Sequence, residues 1–441
     1  MSTASMHPGI SPARPAVGRQ RAASPDRIRK GRVAALMLIL PMFFSFGRYV
    51  PGFEWTLDLM ALATFASAVY LRRSVSSVPL GVLPRYTWLI ILAAPLWGAT
   101  MAVLVFGQPA WLGLATQRAL LLAPFGLVLT ALLHRGAIRM VELEQAFVWL
   151  AWLNLGICSP VLLLLDPNNY SDLGNLVTDG GGVYNQFNLP MTFVIFGAFY
   201  YFAKALLLGR AKWYARCVPF LLYIFGGNTG RVLNVAMLLS FLLLAALSRR
   251  RGQAMLRNVA TGVGLFAAGF GLTLLLAPDR LDLLSAKYTD AFAALSGADS
   301  VDDWSANARI LQVATVTPWV EQHLWFGTGT ISNRWNDGYK GLFDYLHPSD
   351  LGFLGVIFVY GVFGLLAFSY QYVLAWRGLR ALGAQSAGFS ARPFLLGLGG
   401  CLATLLLTSV TTGSLVFFVE QTLFYISMLH FGRALLRTRH G

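Results

Sequence analysis

Apolar runs of about twenty residues, separated by short polar segments, recur along most of this chain. An α-helix needs a run of roughly that length to cross the hydrocarbon core of a bilayer. We therefore predict an all-α polytopic membrane protein with about twelve transmembrane helices. The predicted spans are residues 33–50, 55–71, 87–106, 118–134, 144–165, 188–208, 217–229, 232–247, 259–277, 350–375, 394–411 and 413–435.

One long polar segment, Pro278 to Ser349, interrupts this pattern between two apolar runs. Connecting segments on a protein surface commonly carry binding and catalytic residues. The first residues are rich in Arg, Pro and Ser and are expected to form a disordered basic tail. The chain therefore divides into the tail (1–32), the first nine spans (33–277), a loop domain (278–349), and the last three spans with the C-terminus (350–441).

The loop domain has a helical pattern of its own. Apolar positions at helical spacing from Trp304 to Thr317 predict an amphipathic helix. Pro318 is expected to end or kink that helix. A short helix is expected at Leu342–Leu346, and Gly327 and Gly329 predict a turn between the two helices.

Charge is scarce and unevenly distributed. Charged residues make up 12% of the chain, against about a quarter in soluble domains, and the formal net charge is +15. If the N-terminus lies in the cytoplasm, every predicted inner segment is basic: 72–86, 135–143, 209–216, 248–258, 376–393 and the C-terminus. The predicted outer loop 166–187 contains aspartates and no Lys or Arg. The positive-inside rule therefore places both termini in the cytoplasm and the loop domain on the opposite face.

This composition excludes several classes of function. No basic patch interleaved with aromatic residues marks a nucleic-acid-binding module. The three cysteines, Cys158, Cys217 and Cys401, all fall in apolar runs and are interpreted as small buried hydrophobic residues. Only His323 and His347 are predicted to lie outside, which argues against a multi-histidine metal site.

Arg231 is the first candidate for chemistry. A glycine-rich break, Phe225–Arg231, separates two apolar runs at the predicted outer face. Exposed backbone N–H groups and the start of the next helix favour an anion there, and a guanidinium adds bidentate donors that suit phosphate. The alternative is an interfacial Arg that reaches lipid headgroups.

Other ionisable residues near the outer face are further candidates. Arg309 lies on the predicted loop helix, Arg118 lies near the outer end of a span, and Arg48 is a weaker candidate of the same kind. Solvated or anchoring roles are the alternatives for these arginines. His347, beside Pro348, has a side-chain type whose ordinary pKa of about 6.5 suits general base catalysis, or it is only a loop residue.

Two carboxylates, Asp58 and Glu420, fall within predicted spans. Such groups relay protons in transporters. They also pair with arginines in the membrane, here Arg48 or Arg118, and we favour pairing.

Three motifs in this order resemble those of the O-antigen ligase and O-antigen polymerase superfamily of bacterial envelope enzymes. They are Thr229-Gly230-Arg231, then Arg309 followed by His323-Leu324-Trp325-Phe326-Gly327-Thr328-Gly329, then His347-Pro348-Ser349-Asp350-Leu351-Gly352 with Gly361 and Gly364. Leu324 stands where the family has Pro, and Pro348 stands where a polar residue is common. The predicted span number and large outer loop resemble the family as well.

The resemblance implies a multi-pass glycosyltransferase of the bacterial inner membrane that needs no metal or other cofactor. It would transfer a glycan from undecaprenyl diphosphate to a sugar hydroxyl on the periplasmic face, as a polymerase of exopolysaccharide or O-antigen. Arg231 and Arg309, with Arg118, would hold the diphosphate, and His347 would orient or deprotonate the acceptor. The implied partners are the lipid-linked oligosaccharide, membrane lipids, a flippase and a chain-length regulator.

Three alternatives remain open at this point. A ligase of the same superfamily would differ only in its acceptor, the lipid A core. A transporter would use Asp58 and Glu420 as relay groups and would be expected to have paired broken helices. A non-catalytic scaffold would leave the outward arginines and His347 without a role.

Overall fold

The protein is an α-helical bundle with one short β-hairpin. A computed structural model describes residues 25–50, 52–170, 172–173, 177–179, 185–227, 231–248, 253–276, 289, 304–344, 346–383 and 390–440. All statements about structure refer to these residues.

The helices follow the apolar runs closely. Those of the described residues are α1 (Pro25–Phe43), α2 (Trp55–Tyr70), α3 (Arg72–Ser77), α4 (Leu83–Phe106), α5 (Ala110–Thr116), α6 (Phe125–His134), α7 (Met140–Leu164), α8 (Thr192–Leu208), α9 (Ala211–Gly227), α10 (Arg231–Ser248), α11 (Gln253–Leu276), α12 (Trp304–Gln322), α13 (Gly338–Phe343), α14 (Gly352–Gly383), α15 (Arg392–Thr412), α16 (Ser414–Phe417) and α17 (Val419–His440). Short 3-10 turns lie at Phe46–Tyr49, Arg118–Leu122, Pro167–Tyr170 and Pro348–Leu351. Strands β1 (Val177–Asp179) and β2 (Asn185–Phe187) pair antiparallel, with Thr178 opposite Gln186.

Several of these helices are long and apolar enough to cross a membrane. In the described part of the chain they are Leu83–Phe106, Met140–Leu164, Leu256–Leu275, Pro348–Gly383 and Arg392–Thr412. The pair Ala110–Thr116 and Arg118–His134, bent by 46°, would make a sixth span. The prediction of an all-α membrane protein is confirmed at this level. The twelve spans and the side on which each loop lies stay predictions.

The core lies where α8 packs against α15 and α9. Phenylalanines on α8 are fully buried, and glycines on the facing helices make room for them. A methyl group added at Gly400 of α15 would lie 2.4 Å from the ring of Phe199, and one at Gly197 of α8 would lie 2.5 Å from Phe220 of α9. Small residues of this kind let helix backbones approach closely, which is how helices associate without a strong hydrophobic driving force in a bilayer.

An extended segment, Gly327–Ser332, lies between α4 and α14. The N–H groups of Thr328 and Gly329 donate to the carbonyl oxygens of Phe358 and Val359 at 2.7 and 2.9 Å. The N–H of Thr330 donates to the carbonyl of Gly98 on α4 at 3.0 Å. The backbone of α14 can form these hydrogen bonds because the helix is broken at Gly361, whose φ of 68° and ψ of −176° are not helical. Non-helical backbone inside a membrane protein is tolerated when its polar groups are paired within the protein. We call residues 327–332 the inserted segment.

Two buried glutamines fasten the inserted segment to the bundle. Gln108 donates from Nε2 to the carbonyl of Thr330 at 3.0 Å and accepts from the N–H of Ser332 at 2.7 Å. Gln117 accepts from the hydroxyl of Tyr360, beside the break in α14, at 2.7 Å. Buried amides that are satisfied on both sides in this way hold one arrangement of the backbone.

The loop domain differs from its prediction at two positions. Helix α12 runs through Pro318 to Gln322, so of the two expected effects, an end or a kink, the end is wrong. Proline frees only the carbonyl of Ala314, which lies on an exposed face where solvent can bond it. The short helix is Gly338–Phe343, earlier than predicted, and it ends at Asp344, which has a positive φ of 56°.

Candidate functional site

A polar cavity of about 360 Å³ opens at one end of the bundle. Its polar lining residues are Arg48, Tyr49, Gln186, Asn188, Thr192, Ser414 and Gln421. Its volume is within the range of about 300–1,000 Å³ that is typical of small-molecule sites. We call it the Arg48 cavity, and we call this end of the bundle the outer end because the charge pattern predicts that it faces the periplasm.

Chain turns at the helix ends bring these side chains together. Arg48 lies on the 3-10 turn after α1, where Ser45 takes a left-handed conformation. Strand β2 supplies Gln186 just before α8 begins at Thr192. Gly413, with φ 57°, ends α15 and leads into Ser414. Polar groups from distant parts of the sequence therefore meet at one outward opening.

The guanidinium of Arg48 is exposed and held against an aromatic ring. It donates from Nη2 to the hydroxyl of Tyr49 at 2.6 Å and lies 4.8 Å from the centroid of that ring. The carboxylate that acts on it electrostatically, Glu420 in the first turn of α17, is itself buried. The stacked guanidinium keeps further N–H donors, and a planar fork of such donors matches the oxygens of a phosphate.

An apolar groove of about 540 Å³ adjoins the Arg48 cavity. The two share Tyr49, Phe187 and Leu189 as common walls. The groove continues along α7, where Leu153 and Ile157 line it and are exposed on the side of the bundle. A ligand with a polar head and a long apolar chain could therefore occupy both spaces at once.

Arg118 does not line the Arg48 cavity; it pairs with Asp58. Its Nε lies 2.5 Å from Oδ1 of Asp58, and its Nη1 donates to the carbonyl of Ala115 at 3.2 Å. The pairing expected for Asp58 is thus confirmed. The transporter alternative, which would use Asp58 as a relay group, stays a prediction.

We expect the Arg118–Asp58 pair to contribute modestly to stability. Both side chains are about half exposed, at 55% and 48%, and exposed pairs typically contribute up to about 1 kcal/mol. Arg118→Gln and Asp58→Asn should each lower the thermal midpoint slightly, and the double variant should lower it no further than the worse single variant. The measurement is a double-mutant cycle on the purified protein. If the double variant lost as much stability as the two single variants together, the result would contradict an interaction between Arg118 and Asp58.

The other predicted site residues lie in different surroundings. Arg309 is half-buried on α12, and His347 is exposed directly before the 3-10 turn Pro348–Leu351. The backbone N–H of His347 donates to Oε1 of Gln312 on α12 at 3.1 Å, which ties the two motif regions together. Arg231 is the first residue of α10, and its side chain lies outside the described part of the structure. Leu233, two residues further on, lines the Arg48 cavity.

Sequence reasoning ranked Arg48 low and missed the uncharged polar residues around it. The available signal was the density of amides in Asn185-Gln186-Phe187-Asn188, directly before an apolar run. Amide side chains of this kind suit the hydroxyl groups of a sugar, since they both donate and accept. Among the described residues, no group of three His, Cys, Asp or Glu side chains could hold a metal ion.

Comparison with known proteins adds no family to this geometry. The functional argument therefore starts from the Arg48 cavity and the apolar groove beside it. The chain matches no protein-family model, and no curated protein is significantly similar to it.

Proposed function

We propose that this protein is an inner-membrane polysaccharide polymerase that transfers glycan from undecaprenyl diphosphate to a sugar hydroxyl on the periplasmic face. The observation that carries the proposal is the shared wall between the Arg48 cavity and the apolar groove, formed by Tyr49, Phe187 and Leu189. One compartment suits a charged sugar-bearing head, and the other suits an isoprenoid chain.

Each compartment matches one part of such a substrate. The guanidinium of Arg48 would bind diphosphate oxygens, and Gln186, Asn188 and Gln421 would bind sugar hydroxyls. The apolar groove would bind the first isoprene units, and each buried methylene contributes about 0.8 kcal/mol. The exposed flank of the groove would let the rest of the chain remain in lipid.

The reaction needs charge stabilisation and one proton acceptor. The acceptor hydroxyl attacks the anomeric carbon, the bond from that carbon to the diphosphate oxygen breaks, and the electron pair leaves with undecaprenyl diphosphate. Arg48 would stabilise the negative charge that develops on the leaving group. The resemblance implies the same role for Arg231 and Arg309, of which Arg309 does not line the Arg48 cavity. His347 would take the proton from the acceptor hydroxyl. In this scheme Arg118 has an indirect role through Asp58 and does not hold the diphosphate.

The decisive experiment supplies the purified protein with undecaprenyl-diphosphate oligosaccharide and resolves the products by length. We expect a ladder of longer glycans that remain on undecaprenyl diphosphate, because a polymerase uses a second lipid-linked glycan as acceptor. A parallel reaction contains lipid A core. Product on the lipid A core alone would identify a ligase, and no elongated or transferred product in either reaction would contradict the proposal.

A further inference from the structure

A second cavity, of about 460 Å³, lies at the opposite end of the bundle from the Arg48 cavity. It is bounded by the turn 79–82 before α4, by Leu374 and Arg377 of α14, and by His430 and Arg433 of α17. We call it the inner basic cavity. Helix α17 contributes to both cavities, since Gln421 lines the outer one and His430 lines the inner one. These two residues are separated by about 14 Å along the helix axis, at 1.5 Å per residue.

The inner basic cavity carries positive charge that no described carboxylate neutralises. Arg377 is exposed and Arg433 is half-buried, and neither forms a salt bridge in the described part of the chain. Both arginines lie near enough to His430 for their charges to act on it. Two guanidinium groups that converge on one opening are a recurring arrangement for binding a phosphate.

The side chain of His430, which lines this cavity, is held in place by a hydrogen bond. Its Nε2 donates to the carbonyl oxygen of Leu374 at 3.0 Å, which joins α17 to α14. The imidazole is buried, so this hydrogen bond fixes the orientation of the ring. The cavity is therefore built from side chains held by two packed helices.

The remaining walls of the cavity are apolar. Leu80 and Val82 of the turn before α4 and Leu374 of α14 line it, and Val82 is exposed. Arg377 also falls in one of the basic segments that the charge pattern predicts to be cytoplasmic. A site that combines basic residues with apolar walls, at an end of the bundle that the charge pattern predicts to face the cytoplasm, matches a phospholipid better than a soluble anion.

We propose that the inner basic cavity binds the phosphate group of an anionic phospholipid from the cytoplasmic leaflet. The shared chemistry with a soluble ligand is the phosphate, and the apolar walls assign it to a lipid. This site is independent of the proposed transfer reaction, because none of its residues lines the Arg48 cavity.

The test measures lipid binding to the delipidated protein in neutral detergent by native mass spectrometry. The ligands are dioctanoyl phosphatidylglycerol, dioctanoyl phosphatidylcholine and inorganic phosphate. We expect phosphatidylglycerol to bind at least tenfold more tightly than phosphatidylcholine. Arg377→Gln and Arg433→Gln should each weaken its binding about fivefold, since one basic residue near an anionic lipid contributes on that order.

Arg380→Gln is the matched control, because Arg380 is an exposed arginine one turn further along α14 that does not line the cavity. It should bind phosphatidylglycerol within twofold of the parent protein. The proposal would be overturned if the two lipids bound equally, or if the double variant Arg377→Gln/Arg433→Gln kept the parental affinity. It would also be overturned if inorganic phosphate alone saturated the cavity. If the double variant does not fold, the single variants decide the outcome against the same control.

Discussion

Gly329→Ala is expected to abolish the folded protein or to lower its thermal midpoint strongly. Gly329 has a φ of +90°, and an added Cβ would lie 2.2 Å from the backbone nitrogen of Ala102 and 2.4 Å from the carbonyl oxygen of Gly98. Ordinary contacts are at about 3.5–4.0 Å. Because both atoms belong to the backbone of α4, neither can move aside without separating the inserted segment from the bundle. We expect a loss above about 4 kcal/mol, which is exceptional for one substitution.

Gly107→Ala is the matched control for this prediction. Gly107 ends α4 with a φ of +73°, and nothing lies within 4 Å of a Cβ built there. It should therefore show only the left-handed backbone penalty, about 1–2 kcal/mol. The measurement is the yield and thermal midpoint of each variant by size-exclusion chromatography after heating. Similar midpoints for the two variants would show that the inserted segment does not lie against α4.

The helices of this protein were accessible from the sequence because their signal is local. A run of apolar residues predicts a helix at the same residues. For example, the run 232–247 predicts a helix, and the structure has one at Arg231–Ser248. The same holds for the predicted 55–71 and the observed Trp55–Tyr70. The bend that divides Ala110–Thr116 from the helix after it was not foreseen. Gln117, at the bend, bonds to residues of two other helices that are distant in sequence.

The inserted segment could not be predicted from its own residues. The glycines at 327 and 329 predict a turn, but the turn lies at residues 323–326, and both glycines have positive φ in the extended segment that follows it. Their function depends on partners elsewhere in the chain, since Thr328 bonds to Phe358 and Thr330 to Gly98. Position 361 also requires glycine because of a distant partner. A Cβ added to Gly361 would lie 2.2 Å from the carbonyl oxygen of Trp325.

The candidate site also depends on contacts that the local sequence does not predict. Charge in an apolar run identified both arginines, with Arg48 as the weaker candidate, and the fold reverses that order. Asp58 lies opposite Arg118, whereas Arg48 lies beside amides that come from β2 and α17. Which polar groups an arginine contacts depends on packing between helices that are distant in sequence, and no local sequence pattern predicts it.

Arg48→Ala is expected to reduce glycan elongation by at least about 100-fold with little change in folded yield. Removing one preorganised donor from a developing negative charge costs roughly that factor. The loss of folding stability should be small, because Arg48 is exposed and bonds to the neighbouring Tyr49. Arg48→Lys should recover only part of the rate, since an ammonium group keeps the charge but lacks the planar pair of donors.

The elongation assay with purified variants measures this effect at equal protein concentration. Arg334→Ala is the control, because Arg334 is an exposed arginine of the loop domain that does not line the Arg48 cavity. It should retain the parental rate, which would show that the effect of Arg48 depends on position and not on net charge. Arg118→Ala should reduce the rate less than Arg48→Ala, because its guanidinium is already paired with Asp58. A parental rate for Arg48→Ala, or a greater loss for Arg118→Ala, would remove the Arg48 cavity from the mechanism.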